Sequence, residues 1–187
     1  MGDTGPGGGV VFFVKSSGFD CGPLGVSARC KYLEAAPTSG TNAWTDNSYV
    51  WTYNTSDPID ATLTAIGSGY RNTERMVNAD DPYTTFAGGR VRAYRGPNDQ
   101  SDWYLPSSNE LNELCKYARG QATGDTTVSC SSSGELRAGF HPTVVYYWSS
   151  TESDRYNAVG RSFSTGGQNS LGKTFSYAVR PIRAFGS

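Results

Sequence analysis

An α+β domain is the fold class this sequence predicts, and three observations lead there. Its 23 Gly and 13% aromatic residues, with charged residues held to 18%, describe a loop-rich, β-containing chain rather than a helical bundle. A β-branched and aromatic run, VVFFV at 10–14, opens the chain as a strand, and a second apolar run closes it at 177–185. Between them lies a clear helix start, PSSNEL, in which Ser107 can cap and Glu110 can complete a capping box. The length of 187 residues suits one domain over 1–187, long enough to bury roughly two thirds of its unfolded surface.

Each element can be justified in turn. GDTGPGGG lacks the Lys-Ser/Thr ending and the following helix of a phosphate loop, and two triplets cannot hold a collagen helix. It reads as a turn into the first strand. KYLEAA at 31–36 is that strand's partner, across the Cys21–Cys30 loop, and 37–60 is an irregular excursion pinned by Trp44, Tyr49, Trp51 and Tyr53. A helix can start near Asn72 or Thr73 with Met76 and Val77 inward; a second, short one over 84–94 is weakened by Gly88-Gly89. The third follows Ser107 and puts Leu111, Leu114, Cys115 and Ala118 on one face. After a polar loop at 119–139, strands are expected at 144–148 (VVYYW), at 160–164, and finally at 177–185. Trp103 and Trp148 are the strongest core candidates, and Ser149 and Ser150 should satisfy local backbone groups as the strand turns. Arg180 and Arg183 either pair with acids such as Asp102 or lie on an exposed face.

Several function classes find no support. The net charge is −1 with no basic stripe, so the electrostatic footprint of a nucleic-acid binder is missing. No apolar run approaches the roughly 18–20 residues of a membrane span, so no direct membrane insertion is expected. The start, MGDTGPGGG, lacks the regions of a signal peptide, which suggests a piece attached to something upstream or a non-classical export. Four cysteines allow three pairings, of which the loop-local 21–30 with 115–130 is simplest; disulfides imply an oxidising, extracellular setting. Neither spacing is C-x-x-C, and with one histidine a zinc site is not expected. That histidine, His141, sits beside Pro142 in a loop, and no nucleophile elbow occurs. Asp57, Asp60, Asp80 and Asp81 lack calcium-loop spacing, and Asp80-Asp81 before Pro82 reads as a solvated turn. No enzyme, cofactor or metal site is expected.

The polar stretch 151–178 admits three readings: a flexible loop, a wet β-face, or a recognition surface. The third rests on composition, because Tyr156, Phe163, Phe175 and Tyr177 are set among Ser, Gly and Asn. Diverse-binding surfaces combine rigid aromatic contact with adaptable hydrogen bonding in this way.

Read in order, GDTGPGGGVVFFV, KYLEAAP, AIGSGYRNTERMV, RAYRGPNDQSDWYLPSSNELNEL, YYWSSTES and YAVRPIRAF resemble the Lcl C-terminal domain family from residue 2 to residue 185. The resemblance implies a C-type-lectin-like fold with paired N- and C-terminal strands, two helices and a small second antiparallel sheet holding the WSS segment. Such domains occur in surface adhesins and phage tip proteins, and some are hypervariable targets of diversity-generating retroelements. In those, the variable stretch lies between a YWSS-like block and a VRPxRAF-like end, here roughly Ser153–Ala178. Matched by position, Glu152, Ala158, Phe163, Gly166, Gln168 and Lys173 resemble retained scaffold. Arg155, Tyr156, Asn157, Ser162, Ser164, Thr165, Asn169, Ser170, Leu171, Thr174, Phe175 and Ser176 resemble diversified positions, and Arg161 and Tyr177 join them as expected ligand contacts.

The calcium-dependent sugar motifs of true C-type lectins are absent, so calcium-mediated binding is not implied. No collagen-like stalk is present, which leaves monomer and trimer both open; the cysteine loops look like local additions, which favours local pairing. The expectation is an exported or virion-borne module that binds a protein or glycan on another cell or host surface, anchored by Tyr156, Phe175 and Tyr177. One rival is a fixed-specificity adhesin domain that takes a polyanionic glycan through Arg155, Arg161 or Lys173. Another is an oxidase on the same scaffold, which would need two nearby reduced cysteines.

Overall fold

The structure is a computed structural model, and it describes every residue except Ser56, Asp81, Pro142 and Ser187. Among the described residues the chain runs β1 (Val10–Asp20), β2 (Arg29–Ala35), β3 (Ser48–Val50), α1 (Gly69–Asp80), α2 (Ala87–Ala93) and α3 (Ser108–Ala118). It continues through β4 (Tyr147–Glu152), β5 (Asn157–Arg161), β6 (Gln168–Gly172), β7 (Ser176–Ala178) and β8 (Ile182–Phe185). The α+β class is thus observed. A three-stranded sheet has the order β1-β2-β8, and a five-stranded sheet the order β3-β7-β4-β5-β6.

The termini share the first sheet, but they do not pair with each other as the family resemblance implied. Both flank β2, antiparallel to it. The reason is Glu34 in the middle of β2, fully buried. Its carboxylate accepts from the amides of Gly7 (2.9 Å) and Gly9 (3.0 Å) in the N-terminal turn, and from Arg183 of β8 (2.8 Å). A buried carboxylate needs compensating donors, and here they come from both ends of the chain. A Cβ on Gly5 would sit 2.4 Å from that carboxylate, so the glycine-rich turn is shaped to admit it.

The second sheet is larger than expected and mixed, since β7 runs parallel to β4 while its other pairs are antiparallel. The single terminal strand expected at 177–185 is two strands in different sheets. Pro181, with no N–H to donate, falls between them. The strand expected at 144–148 lies at 147–152 instead. Ser149 and Ser150 stay inside it, because Ser149 Oγ donates to the Val159 carbonyl (2.7 Å) and Ser150 N to the Pro106 carbonyl (2.7 Å). β5 likewise begins before the expected 160–164 span, and β6 lies in the stretch 151–178, for which a wet β-face is one of the three readings.

Three helices are present rather than the two of the resemblance. α1 begins at Gly69, before Asn72. α2 tolerates Gly88-Gly89 because packing requires them: a Cβ at Gly88 would meet the Phe86 ring at 2.9 Å and one at Gly89 the Thr84 backbone at 2.8 Å. α3 carries the anticipated capping box, with Ser107 accepting from Glu110 N and Glu110 accepting from Ser107 N (2.7 Å). Its Leu111, Leu114, Cys115 and Ala118 are all buried.

One core cluster joins the first sheet to α3 through Phe12, Phe13, Leu33, Leu114, Tyr147 and Phe163. A second gathers Trp51, Met76, Phe86, Leu105, Trp148 and Val179. Trp103 and Trp148 are fully buried, as expected, and Trp51 equally so. The disulfides pair locally, Cys21–Cys30 and Cys115–Cys130. Arg183 bonds Asp102 as well as Glu34, and Arg180 bonds Asp46, so both arginines are buried and paired. Trp148 Nε1 donates to the Tyr49 carbonyl (2.9 Å). Replacing Trp148 by Ala should therefore cost about 3–5 kcal/mol of stability, read by chemical denaturation.

Candidate recognition surface

The polar segment after β4 starts from a buried ion pair. Glu152 ends β4 and Lys173 opens the β6–β7 turn; both are buried. The Lys173 ammonium donates to the Glu152 carboxylate and to the Arg155 carbonyl (2.9 Å), and it lies 4.9 Å from the Trp51 ring centre. Glu152 also accepts from the Ile59 amide (3.0 Å). Trp51 closes the knot: its amide donates to the Lys173 carbonyl (2.9 Å) and its indole N–H to that of Ser149 (2.7 Å). Both charged groups of the pair thus have further hydrogen-bond partners, the condition under which a buried pair is tolerable.

Two exposed turns hang on this knot. In the β4–β5 turn, Asp154 accepts from the amides of Tyr156 (2.7 Å) and Asn157 (2.9 Å) and from the Asn157 side chain. Hydrogen bonding from Asn157, then from the Tyr156 amide, holds the Asp154 carboxyl below its ordinary pKa. Tyr156 projects from this turn, 59% exposed, with the Arg155 guanidinium 5.0 Å over its ring. In the β6–β7 turn, Phe175 is 62% exposed.

Between the turns, an aromatic cluster packed on the buried Trp148 lies along one face of the second sheet. Tyr177 stands against Trp148 (5.0 Å between ring centres) and Tyr146 (5.5 Å), and Phe175 follows at 6.5 Å. Asn169 donates to the Tyr146 hydroxyl (2.8 Å), and Leu171 covers Gly160, where a Cβ would lie 2.5 Å from its Cδ1. Tyr49 pairs with Tyr177 across β3 and β7, under the guanidinium of Arg90 (5.7 Å). Beside them opens a groove of about 290 Å³, lined by Ser48, Val144, Val145, Tyr146, Ser176 and Tyr177.

Of the residues expected to meet a ligand, Arg155, Tyr156, Thr165, Asn169, Ser170, Thr174, Phe175 and Ser176 are exposed. Asn157, Ser164, Leu171 and Tyr177 are half-buried. Arg161 and Ser162 are buried and must be withdrawn as contacts. Arg161 points inward to the Gly166 carbonyl (2.6 Å) and the Gln168 side chain (2.8 Å), and burial pulls its pKa down to about 10, against the pull of Glu113. Ser162 shares its hydroxyl with Ser164 (2.9 Å). Period-2 alternation is masked in this stretch, because inward positions carry Arg, Lys and Ser rather than hydrophobes.

The residues matched to scaffold are mostly buried: Glu152, Ala158, Phe163, Gly166 and Lys173 are inside, while Gln168 is exposed. Phe163 packs between Tyr147 and Phe140. Gly166 has φ +79°, and a Cβ there would meet Cys130 O at 2.5 Å, so the disulfide-bonded loop buttresses the β5–β6 turn. Arg119 ties the same turn down, donating to the carbonyls of Phe163 (2.6 Å) and Ser164. Sequence reasoning missed Tyr49, Tyr146, Trp51 and Arg119 as parts of the site. Only Tyr146, in the YYW block, carried any local signal.

The remaining candidates lie elsewhere. His141 is exposed and bonds Thr143 (2.8 Å). All four cysteines are in disulfides, so none presents a thiol. Asp80 is not part of a solvated turn: it is buried and accepts from Thr52 Oγ1 (2.6 Å) and the amides of Tyr53 and Asn54. Asp81, its neighbour in that reading, falls outside the described residues, as does Pro142 beside His141.

Residues 45–183 match the sequence profile of the Lcl C-terminal domain, and the chain belongs to that family. Among solved structures, the chain is similar to a fimbrial protein from Bacteroides ovatus, with 18% identity and a TM-score of 0.49. That match covers 95% of this chain and 44% of the other, so the chain spans less than half of its length. No curated protein sequence matches. The disulfides fit an extracellular setting, and no helix among the described residues is long and apolar enough to cross a membrane.

Lys173→Ala strands the Glu152 carboxylate in the interior and should cost about 3–5 kcal/mol, measured by urea unfolding. The Asp154 turn should be pH-dependent with a definite sign. A carboxyl whose folded pKa is depressed contributes order above its ordinary value near 3.9 and loses it as pH falls through the folded value. The amide resonances of Tyr156 and Asn157 should accordingly titrate together only below about pH 4, and Asp154→Ala should abolish that titration.

Proposed function

We propose that this chain is a ligand-binding module of an exported or virion-borne protein, and that 153–177 is its recognition surface. It is the variable segment of a diversity-generating retroelement target. The carrying observation is the division of labour in that segment: the expected scaffold residues Glu152, Phe163, Gly166 and Lys173 are buried, while eight of the expected variable positions are exposed. A sheet anchored from beneath can exchange its outer side chains without losing its backbone. Membership of the Lcl C-terminal domain family supports the same reading. Tyr156, Phe175 and Tyr177 supply the aromatic anchors, and the Ser and Asn residues around them supply adaptable hydrogen bonds. The partner is a protein or glycan on another surface, and the module performs no chemistry on it.

The polyanion reading loses its basis, because Arg161 and Lys173 are buried and engaged, which leaves only Arg155 of its three cations at the surface. Two measurements test the proposal. Comparison of the gene among independent isolates should find substitutions confined to adenine-bearing codons within 153–178; changes spread evenly along the gene would remove the retroelement role. On arrays of glycans and surface proteins, the double variant Tyr156→Ala, Phe175→Ala should lose binding while its unfolding free energy moves by less than about 1 kcal/mol.

A further inference from the structure

We infer that the recognition surface takes its partner as an extended peptide strand, added to the open edge of β6; this rests on the reading of 153–177 as the binding surface. β6 ends the five-stranded sheet. Its pairing with β5 is regular, from Asn157↔Gly172 to Arg161↔Gln168. The flanking bonds, Lys173 N to Tyr156 O and Ser162 N to Gly167 O, fix which residues of β6 bond inward. In an antiparallel ladder hydrogen-bonded and non-bonded pairs alternate, so Asn169 and Leu171 exchange bonds with β5. Gln168 and Ser170 must then turn their N–H and C=O groups outward, and no backbone partner meets them among the described residues. That leaves four backbone groups, two from each residue, in the spacing a further strand requires.

The other sheet edges are guarded. Gly2 donates to Val11 O and Val11 to Asp3 O along the start of β1, which is bulged further on and carries Lys15. β8 exchanges two hydrogen bonds with Tyr104 at Ile182 (both 2.9 Å), and β3 has only three residues. Natural proteins blunt exposed edges with charge, proline, bulges or cover. QNSLG, the whole of β6, has no charge and no proline, and its register shows no bulge. An unguarded edge inside a binding surface is the arrangement that peptide capture by strand addition uses, where the main chain supplies affinity and alternate side chains supply specificity.

The two faces beside this edge differ, which specifies the peptide. On one lie Leu171 and Asn169, continuing to Tyr146 and Tyr177; on the other lie Gln168 and Ser170. The captured segment should alternate, with apolar or aromatic side chains over Leu171 and polar ones over Ser170. Variation at Asn169, Ser170 and Leu171 would retune that pattern without touching the backbone bonds.

The test uses a displayed library of random linear peptides, selected on the immobilised full chain. Selected peptides should be alternating in pattern, and Ser170→Ala, which changes the side chain but keeps the outward N–H, should weaken their binding far less than Ser170→Pro. The peptides should lose about tenfold or more on Ser170→Pro, which removes only an outward N–H and should leave the unfolding midpoint nearly unchanged. Independently of any variant, the amides of Gln168 and Ser170 should exchange rapidly with solvent in the free protein and become protected when peptide binds. Equal binding by Ser170→Pro, absence of enriched peptides, unchanged exchange at these amides, or a dimer joined through β6 would each overturn strand capture. If peptides lose affinity on Tyr156→Ala, Phe175→Ala but not on Ser170→Pro, the surface stands and strand capture alone fails.

Discussion

Lys173 and Glu152 meet where no water can screen them, and the recognition segment is ordered because they do. The ammonium reaches back across the sheet to the end of β4, gathers the Arg155 carbonyl, and rests on the Trp51 ring. Through it the β4–β5 turn, the β6–β7 turn and the irregular chain before α1 become one unit. Buried pairs are seldom stabilising against an apolar alternative. Their usefulness lies in direction, since an ammonium with named acceptors fixes a geometry that an apolar contact would leave loose. A polar, glycine-rich segment with few hydrophobes of its own needs that kind of constraint.

Glu34 performs the corresponding task on the first sheet. By accepting from the N-terminal glycine turn and from Arg183, it brings the two ends of the chain to opposite sides of β2. Arg180, immediately before Pro181, is held by Asp46 and the Gly139 carbonyl. The segment 176–185 therefore stitches the two sheets together, entering one as β7 and the other as β8. Recognition surface and termini are mechanically connected, so the outer face can be polar and changeable while its base stays fixed.

Much of this was legible beforehand, for identifiable reasons. The α3 capping box, the VVFFV strand and the local disulfides depend on residues close in sequence, where propensity and spacing carry the information. The errors share a cause. β6 and the exact ends of β4 and β5 escaped because QNSLG and SSTE lack apolar alternation; their pairing is set by neighbours distant in the chain. Arg161 was read as a contact because a charge in a polar stretch looks exposed. It is buried, its two terminal nitrogens directed to the Gly166 carbonyl and the Gln168 side chain. The splitting of 177–185 was signalled by Pro181 in the sequence, but not which sheet each half would join.

The sequence by itself determined the α+β class, the start of α3, the two covalent loops and the family to which the chain belongs, because these follow from local chemistry and from motif order. Only the tertiary structure decided which polar residues face outward. Burying a charge requires partners brought from elsewhere in the chain, as Ile59 and Trp51 are brought to Glu152 and Lys173. No local pattern encodes that arrangement, so Lys173 and Arg155, both basic and eighteen residues apart, end on opposite sides of the same surface.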